Sequence, residues 1–197
     1  VKRILNVSNR LPFTVKKTRD KIHFSASTGG LAVGLQSLNE MMDYFWIGWP
    51  GMAADHLTSL DQEEIQKRAR AEKCEPIFFS EEEINEFYHN FCNKTLWPLF
   101  HYFTLYTVYD NQSWSFYRRV NEKYCDLVLQ HVQPEDMIWI HDYHLMLLPQ
   151  MLREKLPQHS IGFFLHIPFP DYEIYRLLPW RKELLEGILG ADLIGFH

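Results

Sequence analysis

The sequence predicts a doubly wound α/β domain, in which a mostly parallel sheet is covered by helices on both faces. Short apolar runs alternate with helical segments along the chain, which is the pattern of consecutive β-α units. Two of these runs, Ile138–Ile140 and Ile161–Leu165, lack the polar alternation of a half-exposed strand and therefore belong in the covered middle of a sheet. Polar residues follow both runs directly, at the edge where α/β sheets bind ligands.

Composition limits the classes of function. With 197 residues, 46% of them apolar, the chain can bury a full core as one domain or as one half of a larger enzyme. The formal net charge of −5 offers no basic surface for nucleic acid, so a few local cations must hold any anionic ligand, and Arg10 is the first candidate. The three cysteines fit no CxxC pattern, which argues against a disulfide framework or a zinc knuckle and favours a reducing, cytoplasmic location.

Nothing in the sequence divides residues 1–197 or sends them to a membrane. No apolar run approaches the roughly 20 residues that a membrane span needs, and Val1–Val7 is too short for a signal peptide. We find no internal repeat or linker, so we expect one domain. Both ends look cut, and the sequence leaves the oligomeric state open, a homo-oligomer included.

The amino-terminal third predicts a strand, a hairpin and a helix. Arg3–Ser8 is a β-branched and apolar run, and Phe13–Lys17 and Lys21–Ser25 form a small exposed hairpin. Leucines at helical spacing predict a helix over Gly30–Met42. Its start offers free N–H groups to a phosphate, but a simple loop-to-helix turn explains the Gly29-Gly30 pair equally well.

The middle of the chain predicts a strand at Tyr44–Gly51, a helix at Leu60–Glu72 and a strand at Pro76–Phe79. Ser80 and Glu83 have the spacing of a capping box, which starts a helix that runs to about Phe91. The following aromatic-rich stretch is expected to elaborate one crossover, with most of its rings in the core. Tyr88 and Trp97 remain candidates for a site, because aromatic rings stack on the C–H faces of sugars.

The last third predicts helices at Trp114–Gln130, Asp171–Leu178 and Trp180–Leu189, with a final strand at Asp192–Ile194. A short helix joins the two apolar strands between them.

Each of those two strands runs straight into a histidine, His141 or His166, and His141 opens the sequence His-Asp-Tyr-His. A metal site is disfavoured, because His-x-x-His on a turn lacks the i, i+4 geometry of a helical zinc motif and no second cluster supplies further ligands. The sequence also lacks the GxSxG nucleophile elbow and the GxxxxGK[ST] phosphate loop.

The remaining groups suit a polyhydroxylated ligand that carries a phosphate. Asp142 accepts hydroxyl protons, Arg10 binds phosphate oxygens with its forked guanidinium, and Tyr88 and Trp97 complete the wall. Each has a plainer alternative: Asp142 caps the helix that starts near His144, and Arg10 is a surface residue.

Six motifs in order resemble the amino-terminal half of the trehalose-6-phosphate synthases, which are retaining glycosyltransferases with two Rossmann-like lobes (the GT-B architecture). They are Ser8-Asn9-Arg10-Leu11-Pro12, Gly29-Gly30-Leu31, Trp46-Ile47-Gly48-Trp49, Tyr88 with Leu96-Trp97-Pro98, His141-Asp142-Tyr143-His144-Leu145 and His166-Ile167-Pro168-Phe169-Pro170. The resemblance covers essentially the whole chain.

The resemblance implies glucose 6-phosphate as the acceptor and UDP-glucose as the usual donor, with neither metal nor cofactor. Arg10, Tyr88 and Trp97 would then contact the acceptor phosphate, and Asp142 the acceptor hydroxyls.

On the donor side, Gly30 would lie by the donor phosphates and His166 would bond the donor glucose. Asp142 and His166 would be the catalytic residues of a front-face transfer with retention, which needs no enzyme nucleophile. The family's second lobe, which grips the nucleotide diphosphate, is absent from these 197 residues, so we expect the chain alone to be largely inactive. Two alternatives are a non-catalytic sugar-phosphate sensor or regulatory module and a transferase that acts on a cyclitol phosphate.

Overall fold

The computed structural model describes residues 3–19, 21–27, 30 and 42–197. Eight strands are present in this part of the chain: β1 Ile4–Arg10, β2 Phe13–Thr18, β3 Lys21–Ala26, β4 Tyr44–Trp49, β5 Cys74–Pro76, β6 Met137–His141, β7 Ser160–Leu165 and β8 Leu193–Phe196. Six of them form one sheet in the order β5-β4-β1-β6-β7-β8, in which every neighbouring pair is parallel. Strands β2 and β3 form a separate antiparallel hairpin, as predicted.

The strand order places a switch point in the middle of the sheet. The chain begins at β1, adds β4 and β5 on one side, and then crosses to the other side of β1 for β6, β7 and β8. The connections that leave β1 and β6 therefore diverge, which opens a crevice beyond the carboxyl ends of these two strands. This is the Rossmann-like strand order, and it confirms the predicted doubly wound fold.

Besides three short 3₁₀ turns, the described part of the chain contains six α-helical or mixed α- and π-helical segments. They are α1 Ser59–Ala71, α2 Glu81–Glu83 continued as a π-helix over Ile84–Leu96 and as an α-helical turn over Trp97–Phe100, α3 Asn111–His131, α4 Leu148–Lys155, α5 Tyr172–Tyr175 and α6 Arg181–Ile188. The predicted helix at Gly30–Met42 lies outside the described residues, apart from its first and last positions. None of the described helices combines the length and the apolar character that a membrane-spanning segment needs.

The crossover between β5 and β6 contains the aromatic core. Ser80 and Glu83 form the predicted capping box, since Ser80 Oγ accepts from the Glu83 backbone N–H at 3.1 Å and the Glu83 carboxylate accepts from that of Ser80 at 2.8 Å. The helix continues past the predicted end at Phe91, and Phe91 packs on Tyr117 of α3 with ring centroids 4.5 Å apart. Tyr117 is fully buried, so the aromatic stretch is mainly core, as expected.

One strand prediction was displaced along the chain. The predicted strand at Pro76–Phe79 is observed at Cys74–Pro76, paired with Trp46–Gly48. The sequence pattern does not indicate this strand, because its central residue, Glu75, is charged although it is only 2% exposed in the structure. Arg70 compensates the buried carboxylate through two hydrogen bonds of 2.8 and 3.1 Å. The hydrogen bonds between β4 and β5 end at Pro50, the residue that follows β4, because proline has no N–H to donate.

An ion pair joins β1 and β6 at the ends opposite the crevice. Arg3 donates to both carboxylate oxygens of Asp136, at 2.6 and 3.1 Å, and to the backbone oxygen of His131 at 2.8 Å. The side chain of Asp136 is 1% exposed and that of Arg3 is 11% exposed. The pair therefore aligns the two strands whose opposite ends bear the site.

We predict that Asp136→Ala lowers the free energy of unfolding by about 3–5 kcal/mol, because it leaves the buried Arg3 guanidinium without its partner. Urea denaturation of the whole protein measures this change. Glu173→Ala is the control, since Glu173 pairs with Arg176 on the surface and its loss should change stability by less than about 0.5 kcal/mol. Equal losses in both variants would contradict the role given to Asp136.

Candidate active site

A cavity of about 250 Å³ lies beyond the carboxyl ends of β1 and β6, at the switch point of the sheet. Its lining comes mainly from the ends of these two strands and the residues that follow them, with Tyr88 added from α2. The lining residues are Ser8, Asn9, Arg10, Leu11, Ser27, Gly30, Trp46, Tyr88, His141, Asp142, Tyr143 and His144. The fold thus brings together the motifs at positions 8–12 and 141–145, which are about 130 residues apart in the sequence.

Asp142 holds an unusual backbone conformation at the end of β6. Its φ of 76° and ψ of 168° lie in a region that residues other than glycine rarely occupy, at a cost of about 1–3 kcal/mol. Its carboxylate oxygen Oδ1 accepts from the backbone N–H groups of Tyr143 at 3.0 Å and of His166 at 3.2 Å. The other oxygen, Oδ2, has its nearest basic group at 4.0 Å, the Nδ1 atom of His144. Oδ2 is therefore placed to accept from a ligand.

The cap predicted as the plainer alternative is thus present, and it uses only one of the two carboxylate oxygens. Asp142 caps the short 3₁₀ turn Tyr143–Leu145 through Oδ1.

Arg10 supplies the positive charge of the cavity. Its guanidinium carbon lies 4.0 Å from the ring centroid of Trp49 and 5.6 Å from that of Tyr88, so two aromatic rings fix its position. Within the ranges that the structure describes, no carboxylate lies within 4.0 Å of this guanidinium. The N–H groups of Arg10 are therefore available to an anion, and the plainer interpretation of Arg10 as an ordinary surface residue does not explain this placement.

Gly51 leaves room for that arginine. Its φ of 93° is in the left-handed region, and a Cβ atom at this position would overlap Nη1 of Arg10. The sequence places Gly51 at the end of a strand and its turn, with Pro50-Gly51 as a recognisable turn signal, but it gives no sign of the contact with Arg10.

The cavity wall contains buried polar atoms that have no partner. Among the described residues, six buried side-chain atoms lack a hydrogen bond, and four of these belong to residues of the lining: Asn9 Oδ1, His141 Nε2 and both ring nitrogens of His144. Unpaired buried polar atoms are rare in folded proteins, and their concentration at one cavity indicates a polar ligand. Sequence analysis did not assign a role to Asn9, although it follows a strand and precedes Arg10.

His144 is neutral at ordinary pH. Burial lowers the pKa of its imidazole to about 4, against a smaller opposing effect of the Asp142 carboxylate. The ring stacks on that of Tyr88 with centroids 5.8 Å apart and planes 14° apart. The cavity therefore offers one cation, one carboxylate and uncharged hydrogen-bonding groups, which suits a ligand with several hydroxyls and one anionic group.

The structure places four of the six predicted site residues on the cavity wall: Arg10, Gly30, Tyr88 and Asp142. His166 is not among the lining residues, but its ring contacts His141, which is. Trp97 is 41% exposed, stacks on His101 with ring centroids 4.1 Å apart, and lies outside the lining.

Neither a nucleophile nor a metal cluster is evident in the described part of the site. Ser8 Oγ donates to the backbone oxygen of Arg10 at 2.7 Å and accepts from Trp46 Nε1 at 2.8 Å, so its hydroxyl is engaged in the fold. The described residues contain no group of three or more His, Cys, Asp or Glu side chains that is arranged to hold a metal ion.

Comparison with known proteins identifies the family. Residues 2–197 match the sequence model of Glycosyltransferase family 20. The chain belongs to glycosyltransferase family 20. A similar relative is the UDP-forming α,α-trehalose-phosphate synthase 1 of Aspergillus fumigatus, which is 46% identical over 99% of this chain. The match covers 38% of that relative, so this family 20 chain spans well under half of the protein it resembles.

Two solved structures are similar to this family 20 chain. A UDP-forming α,α-trehalose-phosphate synthase from Burkholderia xenovorans, in complex with glucose-6-phosphate, gives a TM-score of 0.77 at 30% identity. An E. coli protein bound with UDP-2-fluoro glucose gives a TM-score of 0.79 at 34% identity. The match to the Burkholderia xenovorans protein covers 99% of this chain and 40% of the solved chain. The match to the E. coli protein covers 98% of this chain and 39% of the solved chain. The observed fold therefore corresponds to one lobe of these larger proteins.

We predict that His144 makes the stability of this family 20 chain depend on pH. Its folded pKa of about 4 lies below the ordinary value of 6.5, so between these values the unfolded chain binds a proton that the folded chain does not. The contribution of neutral His144 to the free energy of unfolding is therefore complete above pH 6.5 and is lost as the pH falls towards 4. His144→Gln should therefore flatten the rise of unfolding free energy with pH by about 1–3 kcal/mol in total.

Chemical denaturation at several pH values in this window measures the effect. His23→Gln is the matched control, because His23 lies on the exposed face of the hairpin. An unchanged pH slope in His144→Gln would show that His144 is not a buried neutral group.

Proposed function

We propose that this chain is the acceptor-side lobe of a UDP-forming trehalose-phosphate synthase, which transfers glucose from UDP-glucose to glucose 6-phosphate with retention of configuration. The observation that carries the proposal is one cavity lined by both Arg10 and Asp142, where, among the described residues, the arginine has no carboxylate partner and one oxygen of the aspartate accepts no hydrogen bond. A hexose phosphate presents the complementary groups, an anionic phosphate at one end and hydroxyl donors along the ring.

On the acceptor side, each group has a distinct task. Arg10 binds phosphate oxygens through its forked N–H donors, held in place by Trp49 and Tyr88. Oδ2 of Asp142 accepts a hydrogen bond from a sugar hydroxyl, while Oδ1 keeps its hydrogen bonds from two backbone N–H groups. The neutral side chains of Asn9 and His144 are positioned to bond further hydroxyls. The solved relative in complex with glucose-6-phosphate supports this choice of acceptor.

On the donor side, Gly30 and His166 contact UDP-glucose. Gly30 lies on the cavity wall, and a Cβ atom there would have no neighbour within 4 Å among the residues that the structure describes. His166 lies next to the same wall through its contact with His141. The solved relative bound with UDP-2-fluoro glucose supports a UDP-sugar donor.

The proposed reaction uses no enzyme nucleophile. The bond between the donor glucose and UDP breaks, and UDP leaves with the electron pair. The acceptor hydroxyl attacks from the same face, and its proton passes to a phosphate oxygen of the departing UDP. Charge at this diphosphate needs cationic or N–H donors, and Arg10 and Gly30 do not suffice, so transfer requires the second lobe.

We predict distinct kinetic defects for the two principal residues of the acceptor site, measured by a coupled assay for released UDP in the whole natural protein. Arg10→Ala removes a charged hydrogen-bond partner, worth about 1.5–3 kcal/mol, so KM for glucose 6-phosphate should rise by about 10- to 150-fold. Asp142→Asn keeps the oxygen that accepts from the backbone but turns Oδ2 into a donor, so kcat should fall.

Arg119→Ala is the matched control, since its guanidinium lies on the ring of Phe116, a residue of α3 outside the cavity lining. It should change neither constant. If both Arg10→Ala and Asp142→Asn kept the wild-type values of KM for glucose 6-phosphate and of kcat, the proposed acceptor site would be contradicted.

A further inference from the structure

Two histidines at the ends of neighbouring strands contact each other, and one of them, His141, lines the cavity. His141 ends β6 and His166 follows β7, the neighbouring strand. Nδ1 of His141 lies 3.2 Å from Nε2 of His166, and the two rings are 5.4 Å apart with their planes 27° apart. The distance is that of a hydrogen bond, so one of the two nitrogens must carry a proton and the other must accept it.

Both rings are neutral in the folded chain. Burial, followed by the neighbouring His166, lowers the pKa of His141 to about 3. Burial, followed by His197, also lowers the pKa of His166. Each imidazole then has a single N–H, and only two arrangements satisfy the contact: His141 Nδ1–H donates to His166, or His166 Nε2–H donates to His141.

The surroundings of His141 select between these arrangements. Its side chain is 1% exposed, and its Nε2 atom has no hydrogen-bond partner among the described residues. If His166 were the donor, His141 would carry its proton on Nε2, and in the ligand-free protein this buried N–H would have no partner among the described residues. Buried N–H groups without a partner are rarer than bare acceptors. The proton of His141 therefore belongs on Nδ1, which makes His166 Nε2 the acceptor.

We propose that His141 is a positioning residue that fixes His166 as the Nδ1–H tautomer, so that His166 presents an N–H donor to its ligand. This assignment of the ligand rests on the proposed function: the atom that accepts the N–H of His166 is a hydroxyl oxygen of the donor sugar. His166 Nδ1 is the ring nitrogen that the histidine contact leaves unused.

The two supports of His166 have separate effects. The backbone N–H of His166 donates to Asp142 Oδ1 at 3.2 Å, and this hydrogen bond fixes the backbone at His166. The contact with His141 fixes the orientation of the His166 ring and determines which of its nitrogens carries the proton. An unsupported neutral histidine favours a proton on Nε2, so the contact reverses the ordinary preference. A donor that is oriented before the ligand arrives needs no reorganisation when charge develops in the reaction.

The tautomer can be measured without any ligand. In the whole natural protein labelled with ¹⁵N-histidine, long-range ¹H–¹⁵N correlation spectra distinguish Nδ1–H from Nε2–H rings, and His166→Gln assigns the resonance of His166. We expect Nδ1–H in the wild type and a shift to Nε2–H in His141→Phe. His141→Asn, whose amide N–H replaces Nδ1–H, should restore Nδ1–H.

His159→Asn is the control, since His159 contacts the backbone oxygen of Gln133 and not the cavity. It should leave the signal of His166 unchanged. A wild-type His166 with its proton on Nε2 would overturn the proposal whatever the activity of the protein.

Kinetics test the consequence for the ligand. His141→Phe should raise KM for UDP-glucose at least tenfold, and His141→Asn should recover most of the loss. Unchanged donor KM in His141→Phe would overturn the positioning role. Absence of transfer by the wild type, with His166 still in the Nδ1–H form, would instead overturn the proposed function.

Discussion

The carboxylate of Asp142 is the contact on which the site depends. Asp142 occupies a backbone region normally reserved for glycine, with φ at 76°, and its own Oδ1 atom stabilises this conformation by accepting from two backbone N–H groups. One of these belongs to Tyr143, next in the chain, and the other to His166 at the end of β7. A single side chain therefore fixes the ends of two adjacent strands and directs its second oxygen to the cavity.

The fold supplies the remainder of the arrangement. The switch point between β1 and β6 opens the crevice, and β1 ends there with Arg10, which is held by Trp49 and Tyr88. Arg3 and Asp136 align the same two strands from their opposite ends. Cation and carboxylate thus reach one cavity from separate strands, and the neutral His144 adds hydrogen-bonding groups to its wall without adding charge.

Local pattern predicted the fold well and the details of the site less well. The apolar strands and the capping box at Ser80 follow from neighbouring residues alone, so they were found. The predicted position of the strand that contains the buried Glu75 was displaced along the chain. The charge of Glu75 is compensated by Arg70, which lies on a helix, and this ion pair depends on tertiary contact. Gly51 and the His141–His166 contact depend on packing between distant segments, which no spacing in the sequence reveals.

A crystal structure of the protein with glucose 6-phosphate tests whether the two oxygens of Asp142 have separate roles. We expect a sugar hydroxyl about 3 Å from Oδ2, the phosphate about 3 Å from the guanidinium of Arg10, and both backbone hydrogen bonds to Oδ1 intact. A phosphate bound away from Arg10, or a sugar that displaces His166 from Oδ1, would contradict this expectation.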